Sequence, residues 1–257
     1  MTVLFDSLAH PTIDGNWLGK NMGATFASLS DSLKRFDFIG GCAVGIAGSS
    51  SYSHNTFIQE CNKYKSLVPI AGFDPNLSDL GKEMKLIKDL GFKGIKIHPR
   101  FSGIDLKSNN LIEVFKAAYS QNLVIFYCTY YHCQLHNYPE SDPFYFLVSL
   151  LKSVPKAKVV LVHGGDVQLL RYAELVNFNQ NLLLDLSFTI MRYQNSSVDL
   201  DIKYLFKNLD KRICVGSDYP EYSHEELCKR FDYFSDGLSS DKIENIGFKN
   251  LKTYLNI

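Results

Sequence analysis

The sequence predicts an α/β protein, a single-domain (β/α)8 TIM barrel, on three observations. Eight short apolar runs alternate with stretches of helical periodicity, the pattern of parallel strands joined by right-handed crossovers. No composition shift, linker or low-complexity tract divides the chain. A glycine-rich phosphate fingerprint is missing after the first run, where Pro11 follows FDSLAH, which disfavours the rival open doubly wound sheet. With 257 residues, 46% of them hydrophobic, the chain can bury one such core.

The runs are justified one by one. Val3 to His10 opens the chain, and Gly and Asn residues between Asp14 and Asn21 read as a loop before a helix from Ala24 to Phe36. Phe38 to Ile46 is the second strand, followed by a Gly/Ser turn and a helix from His54 to Lys65 that Ser53 can cap. Leu67 to Pro75 is the third, with its helix over Leu77 to Leu90. Gly91 to Pro99 is the fourth, and Asn109 to Gln121 carries Leu111, Ile112, Val114, Phe115 and Ala118 on one stripe. Leu123 to Tyr130 is the fifth. After an aromatic loop, Asp142 and Pro143 form an N-cap and first turn of a helix to Ser153. Ala157 to Gly165 and Asn181 to Phe188 are strands six and seven, separated by a helix over Val167 to Asn177. A helix over Asp199 to Leu209 precedes strand eight, Arg212 to Tyr219, and helices from His224 and Ser240 close the chain.

Composition narrows the partners. Lysine plus arginine equals aspartate plus glutamate, 27 each, so no global field recruits nucleic acid or an acidic membrane. The partner expected is a small molecule, neutral or anionic. MTVLFDSLAH carries no basic leader, and no stretch reaches membrane-spanning length, so the expectation is a soluble cytoplasmic protein. Six cysteines without a CxxC pair suit reduced packing thiols.

A barrel places chemistry at the C-terminal ends of its strands. That rim gathers His10, Asp74, His98, Tyr127, His163, Asp185 and Asp218. Closure sets strand eight beside strand one, which makes His10 and Asp218 neighbours. Asp218 ends the buried run RICVGSDYP, where a carboxylate is costly to desolvate unless it has work or partners. By strand alternation Lys96 and His98 share one face, with Ile95 and Ile97 on the other. Arg100, just beyond Pro99, can clamp a carboxylate or phosphate or stay solvated. The loop Tyr130 to Phe146 holds His132, Cys133 and His136, but its aromatics and Pro139 favour a lid over a zinc knuckle. His54 and His224, at helix starts, read as surface residues.

In these motifs the chain resembles the amidohydrolase superfamily, in the branch that includes decarboxylases and pyrone-dicarboxylate lactonases. FDSLAHP is similar to that branch's first-strand D-x-H-x-H, GFKGIKIHPRFSGIDL to its fourth strand, VVLVHGGD to its sixth, NLLLDLS to its seventh and RICVGSDYP to its eighth. The resemblance implies a barrel hydrolase or decarboxylase with Asp218 handling the proton. It also implies catalytic roles for His163 and His10, and pairing into a homodimer, since related barrels often pair. Two departures bear on the metal: Leu8 stands where the first histidine of the pair belongs, and the fifth-strand histidine is replaced, most simply by Tyr127. The cofactor is therefore either none or one divalent metal, zinc or manganese, held by His10, His163 and Asp218. In the metal-free reading Asp218 activates water, His10 and His163 polarise the carbonyl of a lactone or amide, and Arg100, Tyr127, His98 and Lys96 contact the substrate. A metal-dependent decarboxylase or hydrolase is the second reading, and a degenerate barrel that binds a sugar or metabolite is the third.

Overall fold

Each apolar run becomes one parallel strand of a barrel in the computed structural model, which describes residues 3–49, 51–133 and 139–257. The strands are β1 (Leu4–Ala9), β4 (Phe38–Val44), β5 (Leu67–Phe73), β6 (Gly94–Ile97), β7 (Val124–Cys128), β8 (Val159–Val162), β9 (Leu182–Asp185) and β10 (Ile213–Cys214). They pair in that order, every rung parallel. The seam between β10 and β1 closes through Ser7 N to Val215 O (3.0 Å), Asp218 N to Leu8 O (2.9 Å) and His10 N to Tyr219 O (2.7 Å). Closure therefore rests on the segment after β10, the one that carries Ser217 and Asp218.

Alternation sorts the side chains into two layers. Phe5, Leu8, Cys42, Val44, Ile70, Val124, Phe126, Val160, Val162, Leu183 and Cys214 fill the barrel interior. Ile95, Ile97, Ile125, Tyr127, Leu161 and Leu184 belong to the larger cluster shared with the surrounding helices. Leu251 and Leu255 of the C-terminal helix, Asn250–Leu255, join the interior cluster.

The expected helices form, most of them with side-chain caps. Ser53 accepts from Thr56 N (3.2 Å) ahead of the helix His54–Cys61, and Asp142 accepts from Phe144 N (3.0 Å) ahead of the helix Pro143–Ser153. Three features were not foreseen. A short hairpin, β2 (Asn16–Trp17) with β3 (Lys20–Asn21), rises from the loop after β1. Pro99 starts a one-turn helix, Pro99–Ser102, and β8 gives way at His163 to a 3-10 segment, His163–Gln168. Among the described residues no helix is long and apolar enough to cross a membrane, and all six cysteines are free.

Candidate active site

The inward positions of the barrel turn polar toward its C-terminal mouth. On β6 Lys96 faces inward because its pair on β7, Phe126, does. His98, two residues on, follows the same face. A pit of about 180 Å³ results, lined by His10, Lys96, His98, Arg100, His163 and Asp218 together with Trp17, Tyr130, Phe188 and Glu221. It runs into a larger cleft of about 610 Å³ between the hairpin and the loop after β4, and His10, Trp17, Arg100 and Phe101 line both. The larger space is mostly an approach; the chemistry-bearing groups converge on the smaller one.

His10 and Asp218 meet as closure requires, with Nε2 3.4 Å from Oδ1. His10 Nδ1 lies 2.8 Å from the Val44 carbonyl, which can only accept, so Nδ1 carries a proton. Nε2 and Asp218 therefore form a hydrogen bond when one proton lies between them. His163 is fixed in the same manner, its Nδ1 3.1 Å from Ser187 O, which leaves Nε2 as a lone pair when the ring is neutral. Burial pushes the His163 pKa down to about 4, so at neutral pH the ring is neutral. Burial also holds His98 well below the ordinary histidine range, reinforced by Lys96 and Arg100. For Asp218 burial acts upward, but His163, His10 and Lys96 together outweigh it and hold the carboxyl below the ordinary aspartate range.

Lys96 is the exceptional group. It is 2% exposed, and its Nζ has no hydrogen-bond partner. Burial lowers its pKa against the pull of Cys128, Asp218 and Asp185. Arg100 donates from Nη1 to His132 O (2.8 Å) and packs its guanidinium against Phe101 and Tyr130, each 4.8 Å away, while its buried Nε has no partner. The carboxylate below, Asp185, is fully engaged. It accepts from Ser7 Oγ, Ser187 Oγ, Ser187 N (3.2 Å) and His163 N (3.3 Å), so this rim candidate is scaffold for His163. His163, Phe188 and Asp218 hold left-handed backbone (φ 68°, 64° and 57°). Such positions cost about 1–3 kcal/mol each and gather at functional sites.

Several expectations are corrected. Tyr127 does not face the pit. It pairs with Ile97, on the outward face, and its ring packs against Phe115 with its hydroxyl accepting from Tyr131 Oη (2.9 Å). The inward group at the end of β7 is Cys128, whose Sγ lies 3.6 Å from His98 Nε2. His224 is not a surface residue. It is fully buried, donating from Nε2 to Asp6 Oδ2 (3.0 Å) and accepting from Ser32 Oγ (2.7 Å) at Nδ1. Asp6 also accepts from Ser217 N (2.9 Å), so the network braces the turn that presents Asp218. His54 is half-buried, bonded to Tyr52 Oη (2.7 Å) and Glu83 Oε1 (2.8 Å). Asp74 stays in its own turn, accepting from Asn76 N (2.9 Å).

In the loop after β7, Tyr130 lines the pit and His132 Nε2 lies 2.8 Å from Asp166 Oδ2, while His136 lies outside the described residues. Two groups were missed altogether. Trp17 of the hairpin stacks on His10 (4.9 Å between centroids, 17° between planes) and donates from Nε1 to Glu221 Oε1 (2.6 Å). The chain holds a single tryptophan.

The residues do not fit a catalytic metal. His10 and His163 have the tethered Nδ1 that a ligating histidine needs. Yet among the described residues no three His, Cys, Asp or Glu side chains are grouped so as to hold a metal ion, and a buried ammonium lines the same pit. His10, His163 and Asp218 thus fall short as a ligand set.

No family model and no curated protein sequence matches the chain. Solved structures do. A TIM-barrel protein of Bordetella bronchiseptica superposes with a TM-score of 0.78 at 15% identity, over 99% of this chain and 98% of that one. A protein of Acinetobacter baumannii, designated probable 2-pyrone-4,6-dicarboxylic acid hydrolase and holding citric acid, gives 0.73 at 17% identity over 100% of both chains. An amidohydrolase of Burkholderia multivorans with bound zinc gives 0.68 at 15% identity over 99% of both. At such identities the likeness carries the fold alone, and on that ground the chain is a TIM barrel with the fold shared by these three proteins.

Proposed function

We propose that the chain is a hydrolase of small carboxylated cyclic esters, working through Asp218 and Lys96 with no metal step. One observation carries the reading: the Lys96 ammonium is buried without a partner in the pit that holds Asp218. A charge left so is a strong cost unless an anionic oxygen completes it. In ester hydrolysis such an oxygen develops at the carbonyl, and an ammonium waiting for it stabilises the transition state more than the ground state.

The residues then take distinct roles. Asp218 removes a proton from water as the oxygen adds to the lactone carbonyl, and the carbonyl electron pair moves onto the oxygen facing Lys96. Collapse breaks the ring C–O bond, and the proton held between Asp218 and His10 passes to the leaving alkoxide. His163 accepts a hydrogen bond from the attacking water through Nε2. Polarising the carbonyl, the role expected of His10 and His163, requires an N–H aimed into the pit, and the neutral His163 ring lacks one. The role therefore passes to Lys96. Arg100 pairs with the substrate carboxylate.

A panel of carboxylated lactones assayed with and without chelator tests the reading. Turnover should survive chelation, and Asp218→Asn should abolish it while ligand still quenches Trp17 fluorescence. Substantial turnover by Asp218→Asn would overturn the mechanism, and turnover lost to chelator and restored by zinc or manganese would overturn its metal-free character.

A further inference from the structure

Buried nitrogens without a partner are rare in folded proteins, and their placement is informative. Among the described residues the side-chain nitrogens in this state belong to Lys96 (Nζ), His98 (Nδ1), Arg100 (Nε) and Arg212 (Nε). Arg212 bonds the carbonyls of Val176 and Leu182 at the far end of the barrel. The other three line one pit. Lys96 also lines an adjoining hollow of about 170 Å³ with His98, Asp74 and Phe73.

We propose that Lys96 is a carbonyl-capturing amine that forms a reversible imine with 2-oxo acids, the carboxylate held by Arg100 and the keto carbon presented to Nζ. The donor set reads as that ligand in two parts. A guanidinium with an unused Nε matches a carboxylate, and a buried amine with an unused lone pair or proton matches the adjacent carbonyl. Amines of this kind owe their reactivity to desolvation, since burial disfavours the ammonium and frees the nucleophile.

The step balances with water as the only by-product. The neutral Nζ lone pair adds to the keto carbon, and the C=O electron pair moves to oxygen, which takes the proton shared by Asp218 and His10. The nitrogen gives one proton to Asp218, which passes it to the new hydroxyl; the oxygen, now carrying two protons, leaves as water while the nitrogen lone pair forms the C=N bond, and the remaining N–H proton returns to the Asp218–His10 pair. Addition of water reverses the sequence and restores the amine. This chemistry and ester hydrolysis use different protonation states of one lysine: the ammonium meets an oxyanion, the free amine a ketone.

The test is borohydride trapping on the native full-length protein. Pyruvate is added, then sodium borohydride, which delivers hydride to the imine carbon and fixes a secondary amine. Intact mass and peptide mapping should show one reduced pyruvate adduct per chain, on Lys96. Burial lowers the Lys96 pKa and so raises its reactive fraction, and labelling at Lys96 should exceed that at exposed Lys85. Lys96→Arg should lose the adduct, and Arg100→Met should raise the pyruvate concentration needed. An adduct spread over exposed lysines with Lys96 unmodified, or no adduct, overturns the proposal. The map needs no turnover. A failed lactone assay therefore leaves this inference standing, and an unlabelled Lys96 leaves the hydrolase reading standing.

Discussion

Replacing Lys96 by Met should make the protein more stable while removing its chemistry. Met keeps an unbranched, adaptable stem in the barrel and deletes the charge. In the native protein the ammonium is desolvated without a hydrogen bond, and the nearby carboxylates of Asp218 and Asp185 return only part of the cost, since the net effect is a lowered pKa. Moving an ion of this size into protein costs several kcal/mol after relaxation, and exchanges of buried charge for apolar groups typically gain about 1–4 kcal/mol. A gain of about 2 kcal/mol is expected, which in a domain of this size raises Tm by about 4–8 °C.

The pH dependence has a definite sign. Because the folded-state pKa is depressed, the unfolded chain binds the extra proton, so the penalty is complete below the folded pKa. It fades as pH rises toward the ordinary lysine value near about 10.4. The advantage of Lys96→Met in urea titrations should therefore be largest at neutral pH and shrink toward about pH 10. A variant less stable than the parent by more than about 1 kcal/mol would refute the reasoning, because it would mean that the ammonium is satisfied in solution. Both roles assigned to Lys96 would then lose their basis.

Three other outcomes follow from the geometry. His163, neutral with a pKa pushed to about 4 against 6.5 unfolded, makes the fold lose stability as pH falls through that window, in total about 3 kcal/mol. His163→Asn should flatten the part of the acid limb that denaturant titrations at successive pH values assign to it. Gly216→Ala sets a Cβ against Ser7 Oγ, 2.7 Å from Leu8 N and 2.9 Å from Asp6 Oδ1, at the barrel seam. Overpacking there should cost about 1–3 kcal/mol in chemical denaturation and depress turnover, because the same seam presents Asp218. Tyr127→Phe should lose about 1 kcal/mol with its hydrogen bond to Tyr131 and leave ligand binding by Trp17 fluorescence unchanged, whereas a shift in binding would place its hydroxyl in the pit after all.

What could be seen in the chain beforehand was whatever obeys a short period. The eight strands, two to seven residues long, lie within apolar runs between Gly, Pro or polar breaks, and such runs survive without any knowledge of their partners. Lys96 and His98 could be set on the inner face by counting in twos from Ile95 and Ile97. The same count applied to Val124, Phe126 and Cys128 would have put Tyr127 outside; the chemically suggestive phenol drew attention from the period. His224 could not be placed locally, because its burial depends on Asp6, 218 residues away. Nor could the hairpin over His10, whose arms are two residues each and owe their position to a bond between Trp17 and Glu221.

The two buried charges that share the barrel's polar layer explain why only one of them is assigned chemistry. Asp185 and Lys96 are both almost fully inaccessible, and both have their charged forms disfavoured by burial. Asp185 accepts from two serine hydroxyls and two backbone amides, so its desolvation is offset by the protein itself, and removing any one donor would disturb His163. Lys96 has three donor directions and no acceptor for any of them. A core built for stability alone would replace that ammonium with an apolar side chain of the same length. Its presence at the base of the pit, beside Asp218 and below Arg100, is accounted for when a ligand oxygen or carbonyl carbon is the missing partner.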